Sequence, residues 1–150
     1  MNAFPDTSFL CALYRQQTNS KEAASHFAAL PEALHVSALL LFEFRQSVRF
    51  QVFRQPQNPR VGFTRPEGLK ALADLQSDLT SGAVVIAAVE WPEVCNLAER
   101  LSAQYVMQSG HRSLDVLHVA TALQLGAREF LTFDGNQQAL ATAEGLTVKP

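Results

Sequence analysis

Apolar and polar positions along this chain follow two alternating rhythms. Short runs dominated by apolar and β-branched residues, at 2–5, 34–37, 83–89, 129–133 and 146–149, predict strands. Between them lie longer stretches with helical spacing, at 7–16, 20–30, 38 to about 54, 66 to about 81, 92 to about 108, 111–127 and 136–144. The punctuation agrees. Asp6 or Thr7 is placed to cap the first helix, Ser113 the helix within 111–127, and Pro66 suits a first helical turn. Gly82 and Gly126 stand where C-terminal glycines belong, and 55–66, rich in proline and polar residues, reads as a loop. Such alternation predicts an α/β fold with a mainly parallel sheet covered by helices on both faces. The run 83–89 has the character of a fully buried strand. Pro5 removes a ladder donor from the first strand, which must therefore be stunted or paired on one side only.

Four acids interrupt this pattern. Asp115 sits in an otherwise apolar helix, with His118 one turn on, and a buried carboxylate is costly unless paired. Complementing the helix dipole is the simplest role for Asp115 alone. Asp6, however, follows the first strand, Glu43 lies early in the helix after the second, and Asp134 follows the strand at 129–133. Ligands of open parallel sheets bind beyond the carboxyl ends of the strands, so Asp6 and Asp134 share one crevice if their strands are neighbours. Clustered carboxylates repel one another, and a hard divalent cation, Mg²⁺ or Mn²⁺, relieves the repulsion. Such a centre suits phosphodiester hydrolysis, since the metal acidifies a bound water and neutralises charge on the phosphate. Without a cation, Asp115→Asn is expected to raise thermal stability or leave it unchanged. Thr7 and Ser8 are placed to steer the metal or its water, with helix capping the competing role, the stronger of the two for Thr7.

Composition sets the bounds. The 150 residues, 47% hydrophobic and 17% charged, have an ordinary globular balance and the length of one domain, 1–150. No apolar run reaches membrane-spanning length, and the first residues carry neither a basic region nor a long apolar one, so no signal peptide is expected. Cys11 and Cys95 are isolated thiols, which suggests a reducing compartment and a cytoplasmic location. A net charge of −2 argues against a nucleic-acid partner. Its distribution matters more: Arg45, Arg49, Arg54, Arg60 and Arg65 fall within 44–66 without a single acid. That stretch is compatible with a phosphate chain or with a solvated basic face. Core and dimer packing explain Phe42, Phe44, Phe50 and Phe53 better than base stacking, although Phe53 and Phe63 flank the basic loop and are placed to serve a partner. Trp91 reads as packing at a helix start, and His118 as a core histidine bonded to a carboxylate. The sequence lacks a nucleophile elbow, a glycine-rich phosphate loop and zinc-ligand spacing among its histidines. Ser8 stands where aspartyl phosphotransfer needs a second aspartate.

Taken in order, Asp6-Thr7-Ser8-Phe9-Leu10, the run from Ser37 to Glu43-Phe44-Arg45, Leu114-Asp115 through Ala122, Leu131-Thr132-Phe133-Asp134 and Glu144-Gly145-Leu146 resemble the PIN-domain family. Within it the likeness is to VapC-type toxins of bacterial toxin–antitoxin pairs. The resemblance implies a three-layer α/β/α sandwich with four to five short strands and Mg²⁺- or Mn²⁺-dependent endoribonuclease activity. It also implies homodimers, an RNA substrate and inhibition by a cognate antitoxin. Asp6, Glu43, Asp115 and Asp134 match the family's metal-binding acids and Ser8 its small hydroxyl residue. Arg54, Arg60 and Arg65 are then assigned to RNA or antitoxin contact. Two departures stand out: proline in the first strand, and Gly135-Asn136 where many relatives carry a charged residue. Asn136 either holds a metal-bound water or caps the last helix. The rival readings are a PIN-like scaffold that binds without cleaving, and a small α/β domain whose surface acids are unrelated.

Overall fold

The short apolar runs form strands of three residues each in a computed structural model that describes residues 1–150. They are β1 (Ala3–Pro5), β2 (Leu34–Val36), β3 (Val84–Ile86), β4 (Glu129–Leu131) and β5 (Thr147–Lys149), and every pairing is parallel. β1 pairs with β4, setting Phe4 opposite Phe130; β4 pairs with β5, and β2 with β3. β1 lies alongside β2 but no ladder joins them, so the spatial order is β3-β2-β1-β4-β5. Pro5 has no N–H to offer, and β1 is indeed both short and paired on one side. The chain winds outward from β1 to β3, then returns to lay β4 on the other side of β1. Strand order therefore reverses at β1, which places a ligand crevice at its carboxyl end.

The helices are α1 (Thr7–Tyr14), α2 (Ser20–Ala28), α3 (Ala38–Arg54), α4 (Arg65–Ser81), α5 (Trp91–Leu101), α6 (Ser113–Gln124) and α7 (Gly135–Ala143). α5 runs on through a π-helical turn, Ser102–Val106, into a last α turn, Met107–Ser109. α1 packs on α2, α3 and α4, while α5 packs on α6 and α6 on α7, so two helical layers flank the sheet. Phe4 and Phe130 from the central strands, with Phe9, Leu10, Leu40, Phe44 and Val119 from the helices, are fully buried between them. Caps follow local chemistry. Asp6, not Thr7, caps α1; Ser37 caps α3; Thr64 and Glu67 close a capping box on α4, which ends at Gly82 with φ 80°. α6 gives way to Gly126 in the left-handed region, φ 67°, as its sequence requires.

Three expectations are corrected. β3 is an edge strand, not a fully buried one: Val85 and Ile86 are 38% and 54% exposed, because only β2 flanks it. Ser113 does not cap α6; it is the first helical residue, and Arg112 holds the cap position with its side chain engaged elsewhere. Asn136 neither caps nor precedes α7, since Asp134 accepts from the Asn136 and Gln137 amides.

At the far end of α7, Glu144 accepts from Arg100 (Nη2 2.6 Å, Nη1 3.2 Å) and from the Tyr105 hydroxyl at 2.9 Å, tying α7 to the α5 extension. The Arg100 bond, then that from Tyr105, hold the Glu144 pKa below the ordinary glutamate value. A carboxylate with a depressed folded pKa stabilises above its unfolded pKa and loses that contribution as pH falls through the folded value. Glu144→Gln should therefore cost ~0.5–1 kcal/mol at neutral pH, a modest figure because Arg100 is half exposed. Urea midpoints of wild type and variant should converge in acid, and a gap independent of pH would contradict the pairing.

Candidate functional site

β1–β4 pairing brings the two strand exits together, and the Asp6 amide donates to the Leu131 carbonyl at 2.9 Å. The Asp6 side chain is fully buried there and accepts four hydrogen bonds. Oδ1 takes the Ser8 hydroxyl at 2.7 Å and the Phe9 amide at 2.9 Å; Oδ2 takes the Thr132 hydroxyl at 2.5 Å and Gln137 Nε2 at 2.7 Å. Burial pushes the Asp6 pKa up, and the bonds from Ser8, Thr132 and Phe9 oppose that rise without cancelling it. Ser8 also accepts from the Phe133 amide at 2.8 Å, so its hydroxyl clasps the exit of β4 to the exit of β1.

Glu43 reaches the same rim from the second turn of α3. It accepts from the Thr7 hydroxyl and bonds Nε2 of His118, which is fully buried on α6. Burial alone would raise the Glu43 pKa. The bonds from His118 and Thr7, helped by the charges of His118 and Arg112, outweigh it and leave the pKa below the ordinary value. His118 is thus the carboxylate-bonded core histidine that the sequence suggested. Thr7 is not a cap but a donor to Glu43.

Asp115, in the first turn of α6, is only 5% exposed and accepts from Arg112 Nε at 3.0 Å through Oδ2. Asp134 uses Oδ1 for the α7 cap (Asn136 N 2.9 Å, Gln137 N 3.0 Å), while its Oδ2 lies 3.9 Å from Arg112 Nη2. The hydrogen bond to Asp115 is the main reason the Arg112 pKa is raised, with Asp134 and Glu43 adding through space. All four predicted acids therefore stand at one rim, linked by Arg112 on one side and His118 on the other. They do not converge on one point: no three acidic, histidine or cysteine side chains are grouped to hold a metal ion in this arrangement. In kind, however, the donors are carboxylate oxygens, which suit a hard cation, and two of them, Asp115 and Asp134, face a guanidinium whose side chain is 78% exposed. The largest cavity, bounded by Leu13, Tyr14, Arg15, Lys21 and Phe63, lies elsewhere and includes none of these acids.

Arg54, Arg60 and Arg65 take no part in this rim or in any ion pair; Arg54 ends α3, Arg60 lies in the loop, and Arg65 opens α4. Sequence reasoning missed Arg112, Thr132 and Gln137. Arg112 had a signal, since it stands three residues before Asp115, the spacing of a helical ion pair. Gln137 had none, because only the fold sets its amide on Asp6.

Arg112 already supplies the counter-charge, which reverses the expected effect of Asp115→Asn. In chelator-treated protein it should lower stability by ~0.5–1 kcal/mol, the range of a partly exposed pair. Arg112→Ala should cost more, because it leaves Asp115 buried and unpaired. The double variant should cost less than the sum of the single changes in thermal or urea melts. A more stable Asp115→Asn would mean that carboxylate repulsion still dominates.

Comparison with known proteins agrees with this architecture. A family model described as the PIN domain matches residues 3–143. Mycobacterium tuberculosis VapC20, described as a sarcin–ricin loop cleaving toxin, superposes with a TM-score of 0.65 at 22% identity, covering 99% of this chain and 100% of that one. VapBC2 of Rickettsia felis, bound to a fragment of its promoter DNA, gives 0.67 at 13% identity, covering 99% and 98%. The FitAcB structure from Neisseria gonorrhoeae gives 0.64 at 17% identity, covering 99% and 96%. At these identities the likeness is one of fold. No curated protein matches the sequence.

Proposed function

The chain belongs to the PIN-domain family, and from that premise we propose that it is a divalent-metal-dependent endoribonuclease, the toxin of a toxin–antitoxin pair. One observation carries the reading: four carboxylates from distant parts of the chain share the carboxyl rim of β1 and β4, where strand order reverses. Several solved neighbours are VapBC or FitAB structures, one described as a member of a family of toxin–antitoxin systems, which supports a cognate antitoxin as partner; a homodimer is what the family resemblance implies. No helix is long and apolar enough to cross a membrane.

In this proposal Asp6, Glu43, Asp115 and Asp134 hold Mg²⁺ or Mn²⁺. The bound metal would acidify a water and neutralise charge developing on the scissile phosphate. The chain's own part is to prepare the rim. Thr132 and Gln137 fix the Asp6 carboxylate, and Ser8 locks the strand exits that carry it. Thr7 and His118 aim Glu43. Arg112 neutralises Asp115 and Asp134 until a cation takes that role, and its exposure makes withdrawal inexpensive. Released from that pairing, its guanidinium would be free to serve as a bidentate partner for a phosphate.

A second reading, a PIN-like module that binds without cleaving, draws on the saturation of Asp6 by four donors and the absence of a ready three-ligand group. Two measurements separate the readings. Mn²⁺ at a hundred times Kd should stabilise wild type by ~2.7 kcal/mol, read as a higher melting temperature, and leave Asp115→Asn unmoved. RNA turnover with Mn²⁺ should fall in Asp115→Asn by more than the ~10–100-fold typical of outer-shell changes, and in Gln137→Ala by about that factor. An equal metal response in both proteins removes Asp115 as a ligand, and binding without turnover favours the module.

Arg54, Arg60 and Arg65 are assigned to RNA or antitoxin contact. Replacing all three by alanine should weaken binding and flatten its salt dependence, by ~0.7 in slope for each single-strand phosphate no longer neutralised. An unchanged affinity and slope would return them to solvent.

A further inference from the structure

α3 leads away from the acid rim with one face uncovered. Phe42, Phe50 and Phe53 are 60%, 50% and 62% exposed, and of the aromatics on this helix only Phe44 is core. Of the core and dimer packing expected from sequence, the single chain provides core packing for Phe44 alone. At helical spacing Arg45, Arg49 and Arg54 interleave with the exposed rings. The Arg54 guanidinium lies 5.8 Å from the Phe50 ring centroid, and the Phe50 and Phe53 rings are stacked 6.1 Å apart at 29°. None of the three arginines pairs with an acid, whereas Arg100 and Arg112 both do. The face is therefore a stripe of flat apolar rings and unneutralised guanidinium groups. From Phe42, beside Glu43, it extends ~16 Å to Phe53.

We propose that this face is a platform for single-stranded RNA flanking the bond to be cut, with bases stacked on Phe50 and Phe53 and phosphates on Arg45 and Arg49. The proposal rests on the ribonuclease reading of the adjoining rim. Charge complementarity decides the occupant. A second copy meeting this face across a two-fold axis would set three unpaired arginines against three more, which is repulsive. A polyanion with planar bases satisfies rings and guanidinium groups together, and stacking tolerates any base. Continuity decides the position, since a strand lying on α3 enters the acid rim at Glu43.

The test uses the full chain in EDTA, so that RNA is bound but not cut, with a fluorescein-labelled, mixed-sequence single-stranded RNA read by anisotropy. Phe50→Ala with Phe53→Ala should weaken binding about five-fold for each stack removed, without lowering the melting temperature, because both rings are solvent-facing. Phe50→Leu with Phe53→Leu keeps apolar surface but no π face and should bind as weakly as the alanine pair. Phe50→Trp with Phe53→Trp should restore affinity. Arg45→Ala with Arg49→Ala should lower the salt slope by ~0.7 for each phosphate released. Unchanged RNA affinity in the alanine pair overturns the platform. So does a leucine pair that binds like wild type, or a loss confined to dimer mass or antitoxin binding. The two proposals fail separately. RNA binding that depends on Phe50 and Phe53 but yields no hydrolysis with Mn²⁺ sinks the nuclease alone. Hydrolysis whose KM ignores both rings sinks the platform alone.

Discussion

A carboxylate cannot be stripped of water without replacing what water gave it. Asp6 is where that rule binds this structure most tightly. It closes β1, caps α1 and collects Ser8, Thr132 and Gln137 around its two oxygens. Those partners come from the start of α1, the exit of β4 and the first turn of α7, so satisfying one side chain aligns three elements. The aspartate amide completes the junction by joining the β1–β4 ladder at Leu131. Geometry at the rim follows from this single solvation demand.

The remaining acids meet the same demand differently. Glu43 uses neutral and imidazole donors, while Asp115 and Asp134 share a long, exposed arginine rooted at the start of α6. The rim is thereby divided into a rigid half, in which hydrogen bonds are saturated, and an exchangeable half, in which one solvent-facing side chain carries the neutralising charge. A ligand of either sign can use the exchangeable half. A cation would compete with the guanidinium for the carboxylates, and an anion would pair with it.

Much of this is legible in the sequence. Pro5 announces a one-sided strand, Gly82 and Gly126 mark helix ends, and acids placed just beyond strands point to one rim because parallel topology gathers those ends. His118 is readable because an imidazole in an apolar helix needs a polar partner. What stays hidden depends on neighbours far along the chain. Strand order cannot be read from a hydrophobic run, so Val84–Ile86 resembles an interior strand although it lies at an edge. Ser113 offers standard capping chemistry, yet helix α6 begins one residue earlier than a serine cap would allow. Thr132 and Gln137 look like ordinary polar residues until the fold sets them on Asp6. The split of the α3 aromatic residues into one core ring and three exposed ones stays hidden for a related reason, since apolarity alone does not say which side of a helix finds a neighbour.

The missing ladder between β1 and β2 divides the sheet into a pair and a trio of strands. Along that seam the backbone contributes packing but no cross-strand hydrogen bonds, so thermal breathing should concentrate there. Glu43 projects from the helix that follows β2, and it grips Thr7 and His118, which belong to the trio's side. One acid of the rim thus also rivets the two plates together. A loosened rivet would dismantle the rim before it unravelled the fold.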